Sequence, residues 1–195
     1  MNLKLKIFMR LKYLLNLIFF YIFKFDQWHI SPIESREYCL ESIEYINKNV
    51  HPNDCIIEVG CGLGETISKF NANNLRGYDT CPKVIQAAKL YHYRKKVLFD
   101  IGSFDSIKNY DIKYLIALNF LHDFDSQIVS NWLNQCTKNN KIRFIILDEI
   151  KDRAYQHNHN FNQILPKSFL LVDTIGKEYR YNRSIKVFKN LEIIS

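Results

Sequence analysis

Glu58-Val59-Gly60-Cys61-Gly62-Leu63-Gly64-Glu65 follows directly on the apolar run Cys55-Ile56-Ile57. A short β-branched run bounded by a turn predicts a strand buried on both faces. Three glycines at alternate positions let the backbone bend sharply and approach a ligand with no Cβ in the way. A helix expected from about residue 65 would offer amides at its start to polar ligand atoms. In a parallel sheet such a loop lies at the carboxyl end of the strand, where ligands bind near the switch point.

Outward from this loop, apolar runs and helical stretches alternate. Leu75 to Tyr78 reads as a strand ending at Asp79, Pro82 to about Tyr91 as a helix, and Val97-Leu98-Phe99 as a strand ending at Asp100. Ile112 to Leu118 is a fourth strand, Asp125 to about Thr137 a helix, and Ile142 to Leu147 a fifth strand with Asp148 and Glu149 at its end. This alternation predicts an α/β chain with a Rossmann-like, doubly wound, mostly parallel sheet. Ser168 to Ile175 and Ser184 to Phe188 have only a polar turn between them and suit an antiparallel C-terminal edge, making about seven strands. Upstream, residues 33–48 read as an amphipathic helix with Ile33, Tyr38, Leu40, Ile43 and Ile46 toward the core.

The glycine spacing is G-x-G-x-G with an acid two positions ahead, whereas a dinucleotide fingerprint is G-x-G-x-x-G. The pattern resembles motif I of the class I S-adenosylmethionine-dependent methyltransferases, over roughly residues 34–195. The resemblance implies a cofactor site built from Glu58, Gly60, Cys61, Gly62 and Gly64. It implies Asp79 as the acid that accepts from the ribose hydroxyls, and Asp100 and Ile101 as the adenine contacts. Asn119-Phe120-Leu121-His122-Asp123 resembles the stretch lining the methyl-transfer site; there Asn119 would touch the cofactor, with His122 and Asp123 as catalytic candidates. A histidine titrates in the range useful to a base that deprotonates a hydroxyl. The Asn/Asp-Pro-Pro-aromatic signature for amino groups on bases is absent, and Cys61 reads as a small loop residue rather than a nucleophile.

Five cysteines at unrelated spacings contain no CxxC pair, so no zinc site is expected and the location is read as reducing and cytoplasmic. His157 and His159, with Asp152, read as solvated side chains on a surface loop. The net charge of +7 is uneven: residues 1–24 carry five basic residues and no acid, which leaves 22 basic against 20 acidic residues in the rest. The nearly neutral body disfavours nucleic acid as partner. Residues 11–23 form a dense apolar run behind the basic stretch, shorter than the roughly 20 residues of a spanning helix. Two readings stand for residues 1–31: a helix lying in an anionic membrane surface at the inner face, or a helix packed on its own domain or a second subunit. Trp28-His29 reads either as a lid over the cofactor or as an anchor for that helix. Residues 32–195 form the catalytic unit.

Together these point to a methyltransferase acting on an oxygen of a small or lipid-linked acceptor, such as a sugar or polysaccharide precursor. An RNA methyltransferase and a non-catalytic cofactor-binding protein are the alternatives. The segment between about 149 and 167 is too short for an inserted substrate domain, so elements ahead of the core are expected to help form the acceptor pocket.

Overall fold

A computed structural model describes residues 3–152 and 155–193, except the side chains of residues 177 and 178. Seven strands form one sheet: β1 Cys55–Val59, β2 Asn74–Asp79, β3 Val97–Ile101, β4 Asp111–Ala117, β5 Lys141–Ile150, β6 Phe169–Tyr179 and β7 Arg183–Asn190. Their order is β3-β2-β1-β4-β5-β7-β6. β1 to β5 are parallel, and β7 inserts antiparallel between β5 and β6. The sheet reverses direction of winding at β1 and β4, which places the glycine loop at the switch point.

Successive residues of a strand face opposite sides. Along β1, Ile56 enters one core layer while Ile57 and Val59 enter the other. β4 does the same with Tyr114 and Ile116 against Leu115 and Ala117. Both faces are covered, as the continuous apolar runs require. Helices α2 (Glu37–Asn47) and α3 (Pro82–Tyr91) cover the first face, while α4 (Ser126–Asn139) and the single turn α5 (Phe161–Ile164) cover the second. Asp125 caps α4: its carboxylate accepts the Gln127 amide at 2.7 Å.

The structure changes three expected elements and the setting of one histidine. The helix over 33–48 divides at Arg36, leaving a 3-10 turn at Ile33–Ser35 ahead of α2, and Leu40 faces solvent. That break lets the Arg36 guanidinium reach Glu65 at 3.0 Å. The helix expected from residue 65 shrinks to a 3-10 turn, Ile67–Lys69. Asn71-Ala72-Asn73 turns the chain straight into β2, and so short a connection has no room for more. β5 runs on to Ile150, so Asp148 lies inside the strand rather than at its end. His159 is buried, bonded to Ser126 Oγ at 3.0 Å and the Leu121 carbonyl oxygen at 2.9 Å, because it pins the loop after β4 to α4.

Helix α1 (Leu3–Phe23) rests on α3 and the glycine loop through Leu17, Phe19, Phe20 and Phe23, which meet Phe25, Ile30, Leu63, Val84 and Ala87. Asn16 is fully buried there and donates to the Ile30 carbonyl at 3.1 Å. No helix among the described residues is long and apolar enough to cross a membrane.

Candidate active site

The carboxyl ends of β1, β2 and β4 enclose a cleft of about 250 Å³. Gly60, Gly62 and Gly64 all take left-handed conformations, with φ of +73°, +53° and +73°. Side chains crowd each of them. A Cβ on Gly60 would stand 2.6 Å from Phe120, one on Gly62 2.7 Å from His29 Nδ1, and one on Gly64 would run into Phe99. The loop is therefore closed to side chains twice over, by conformation and by space.

Two carboxylates hold the loop's shape. Asp79 accepts the Gly62 amide on one oxygen and the Cys81 amide on the other, both at 2.9 Å, tying the ends of β1 and β2 together. Glu58 is 3% exposed and accepts the Ile67 amide at 2.9 Å. Burial raises its carboxyl to about 8, against the opposing pull of the Ile67 amide and Arg36. The amides of Gly60 and Cys61 both donate to the Tyr78 carbonyl. With the following helix reduced to one turn, the carboxylates and glycines define the site more than a helix terminus does.

Of the cofactor residues expected from sequence, Glu58, Gly60, Cys61, Gly62, Asp79 and Asn119 line the cleft. Gly64 stands just behind the lining, against Phe99 and His92. Asp100 and Ile101 are exposed at the end of β3 and are not among the lining residues, although the Asp79 carbonyl receives the Gly102 amide beside them. Asp123 lines the mouth with its side chain 74% exposed. His122 does not line the cleft. Its ring is buried edge-on against Tyr155, 4.5 Å between centroids, with Nε2 3.8 Å from Asp123. Burial lowers its pKa despite Asp148 and Asp123 nearby.

The imidazole that does face the cleft is His29, brought over Gly62 by a 3-10 turn, Gln27–Ile30, after α1. Burial favours its neutral form, opposed by Asp79 and Asp26. Trp28, beside it, is 67% exposed and also lines the cleft. Glu65 adds a third tie: it pairs with Lys12 of α1 at 2.7 Å and Arg36 at 3.0 Å and accepts the Ile33 amide at 3.1 Å.

Behind the cleft lies a buried polar group that sequence reasoning missed. Arg183 of β7 sits 3.4 Å from Asp148 of β5, donates to Asn119 Oδ1 at 2.6 Å and lies over the Tyr38 ring at 4.3 Å. Asp148 in turn accepts the Asn119 amide at 2.9 Å. These bonds hold Asn119 at φ +57°, a left-handed conformation that asparagine tolerates better than most residues. An acid directly after so apolar a run as Ile145-Ile146-Leu147 was the available signal, because a buried carboxylate calls for a cation.

No family model and no curated protein matches this sequence. Solved structures do match by shape. Magnesium protoporphyrin IX methyltransferase from Synechocystis PCC 6803, solved with bound SAM, superposes with a TM-score of 0.65 at 17% identity, over 81% of this chain and 80% of that one. The N-methyltransferase NodS from Bradyrhizobium japonicum WM9 gives 0.66 at 14%, over 80% and 96%. A TehB-like SAM-dependent methyltransferase from Corynebacterium glutamicum ATCC 13032 gives 0.61 at 14%, over 77% and 87%. Sheet order, antiparallel edge and these superpositions together show that the chain has the Rossmann-like fold of the S-adenosylmethionine-dependent methyltransferases.

Proposed function

We propose that this protein is an S-adenosylmethionine-dependent methyltransferase that acts on an oxygen of a small or lipid-linked acceptor at an anionic membrane surface. The observation that carries the reading is the cleft of left-handed glycines closed by Asp79 and Glu58 at the switch point. The residues present suit the cofactor. Gly60 and Gly62 line the cleft with backbone alone, and Asp79, which lines it too, keeps lone pairs for two ribose hydroxyls beside the amides it already receives. When bound, S-adenosylmethionine supplies a methyl group already activated on a sulfonium.

The chain's own work is then to orient and to manage a proton. Holding two reacting groups in line is worth roughly 7–11 kcal/mol in intramolecular models. Asn119, Phe120 and Asp123 form the wall of the cleft toward the acceptor. His29, kept neutral by burial, is placed to take the hydroxyl proton on a ring nitrogen as the oxygen is methylated. His122, behind the cleft wall, packs edge-on against Tyr155. His29→Gln should then lower kcat and erase the acid limb of its pH profile, whereas His122→Gln should lower kcat with that limb intact. The opposite pattern would return the base role to His122.

Support for the membrane part comes from α1. Leu3, Ile7, Leu11, Leu14, Ile18 and Ile22 recur three and four residues apart and are all exposed, opposite the side on which Asn16 is buried. Lys4, Lys6 and Arg10 are exposed beside them, suiting anionic headgroups. Flotation with phosphatidylcholine–phosphatidylserine vesicles tests this on the full chain. Binding should be lost in the Leu14→Asp, Ile18→Asp double variant, whose substitutions leave the packed side of α1 untouched. Equal binding by parent and variant would contradict it.

A further inference from the structure

A second cavity, of about 450 Å³, opens beside the cleft and shares Trp28, Arg36 and Asn119 with it. Its walls come from the segment ahead of α2, the Tyr155 segment and the turn between β6 and β7. Four tyrosines line it, Tyr38, Tyr155, Tyr179 and Tyr181, together with three arginines and one carboxylate, Glu37. Aromatic density of this kind gives broad, rigid contact with a ring-shaped ligand, and the Tyr181 and Ser31 hydroxyls lie in the same lining as polar groups.

The arrangement of charge narrows the ligand further. Aromatic faces attract cations, but here guanidinium groups already occupy them: Arg183 lies over Tyr38 at 4.3 Å and Arg180 over Tyr181 at 4.7 Å. A cationic ligand would meet like charge at both rings. Arg183 is almost wholly buried and already balanced by Asp148 at 3.4 Å, although its Nε has no hydrogen-bond partner among the described residues. Arg180, by contrast, is exposed at the rim. A rim guanidinium suits phosphate or carboxylate, which accept several N–H donors at once.

Resting on the methyltransferase reading above, we infer that this cavity is the acceptor subsite and that the acceptor is a hydroxylated ring bearing an anionic group, a glycosyl phosphate in chemical class. The tyrosines border the ring, Arg180 at the rim meets the anion, and Asn119 marks the junction at which a ring hydroxyl meets the cleft.

The test is calorimetric titration of the full chain, first saturated with S-adenosylhomocysteine, using glucose 1-phosphate, glucose, glucosamine and inorganic phosphate as probes. Glucose 1-phosphate should bind about tenfold or more tightly than glucose or glucosamine, as one charge-assisted contact allows. It should also exceed inorganic phosphate, which would show that the ring contributes. Arg180→Gln should remove the preference for the phosphorylated sugar, and Tyr181→Ala should weaken both sugars together. Heat of S-adenosylhomocysteine binding serves as the folding control for each variant. Equal binding of glucose and glucose 1-phosphate, tighter binding of glucosamine, or no sugar binding by the saturated protein would overturn the assignment of the subsite alone. Failure to bind S-adenosylhomocysteine at all would overturn the reading on which it rests.

Discussion

Gly62 concentrates the constraints on the site in one residue. Its φ of +53° is costly for a residue with a side chain, and His29 Nδ1 occupies the space a Cβ would need. Gly62→Ala should destabilise the fold by about 1–3 kcal/mol and push His29 off the loop. A lowered denaturation midpoint with loss of cofactor binding is the expected result, measured by urea unfolding and calorimetry. Glu58 makes a different kind of prediction. Burial pushes its carboxyl up to about 8, from an ordinary value near 4.5. The folded protein therefore keeps a proton that the unfolded chain releases, and the associated stability, full below about 4.5, is lost as pH rises toward about 8. Glu58→Gln should flatten that decline in the unfolding free energy measured across the window. The sequence disclosed the glycines and both acids because their spacing is local. It placed His159 in solvent and made His122 a catalytic candidate without fixing where its ring lies, because whether an imidazole faces a cleft or a carbonyl depends on what packs over it. The ring that does face the cleft, His29, lies 33 residues ahead of the loop it covers.

At the scale of elements, the connection between α1 and the glycine loop is the least expected feature. Lys12 bridges Glu34 at 2.9 Å and Glu65 at 2.7 Å, so the N-terminal helix holds the residue that follows Gly64 directly. Lys12→Ala leaves Glu65 with Arg36 and the Ile33 amide, and a loss of about 2 kcal/mol is expected for one charge-assisted partner. Hydrogen exchange should quicken in α1 and the loop together. Faster exchange in α1 with an unchanged loop would show that the helix merely rests on the domain. The first four strands were legible from sequence to within about two residues, since an apolar run between turns has few alternative fates in a covered sheet, whereas β5 and β6 run on three and four residues past the expected ends. The two misread helices lie where tertiary bonds overrule pattern: Arg36 leaves helical geometry to reach Glu65, and the Ile67 amide is taken by Glu58.

For the molecule as a whole, the sheet order brings residues distant in sequence together. Asp148 lies within β5 and Asn119 just past the end of the adjacent β4, while Arg183 reaches them from β7, inserted antiparallel beside β5. Alternation of strands and helices foretold the parallel part, but not which side chains the returning hairpin would deliver, because its register depends on both β5 and β6. The central claim is that this assembly binds S-adenosylmethionine at the glycine loop through Asp79. Isothermal titration of the full chain with S-adenosylmethionine and S-adenosylhomocysteine, beside Asp79→Asn, tests it most directly. Asparagine can still receive one of the two amides that Asp79 holds, so the fold is expected to survive, as circular dichroism would verify. Parent binding in about the micromolar range, weakened roughly tenfold to a hundredfold in the variant, is the predicted result. A folded parent that binds neither compound, or a variant that binds both as tightly as the parent, would contradict it.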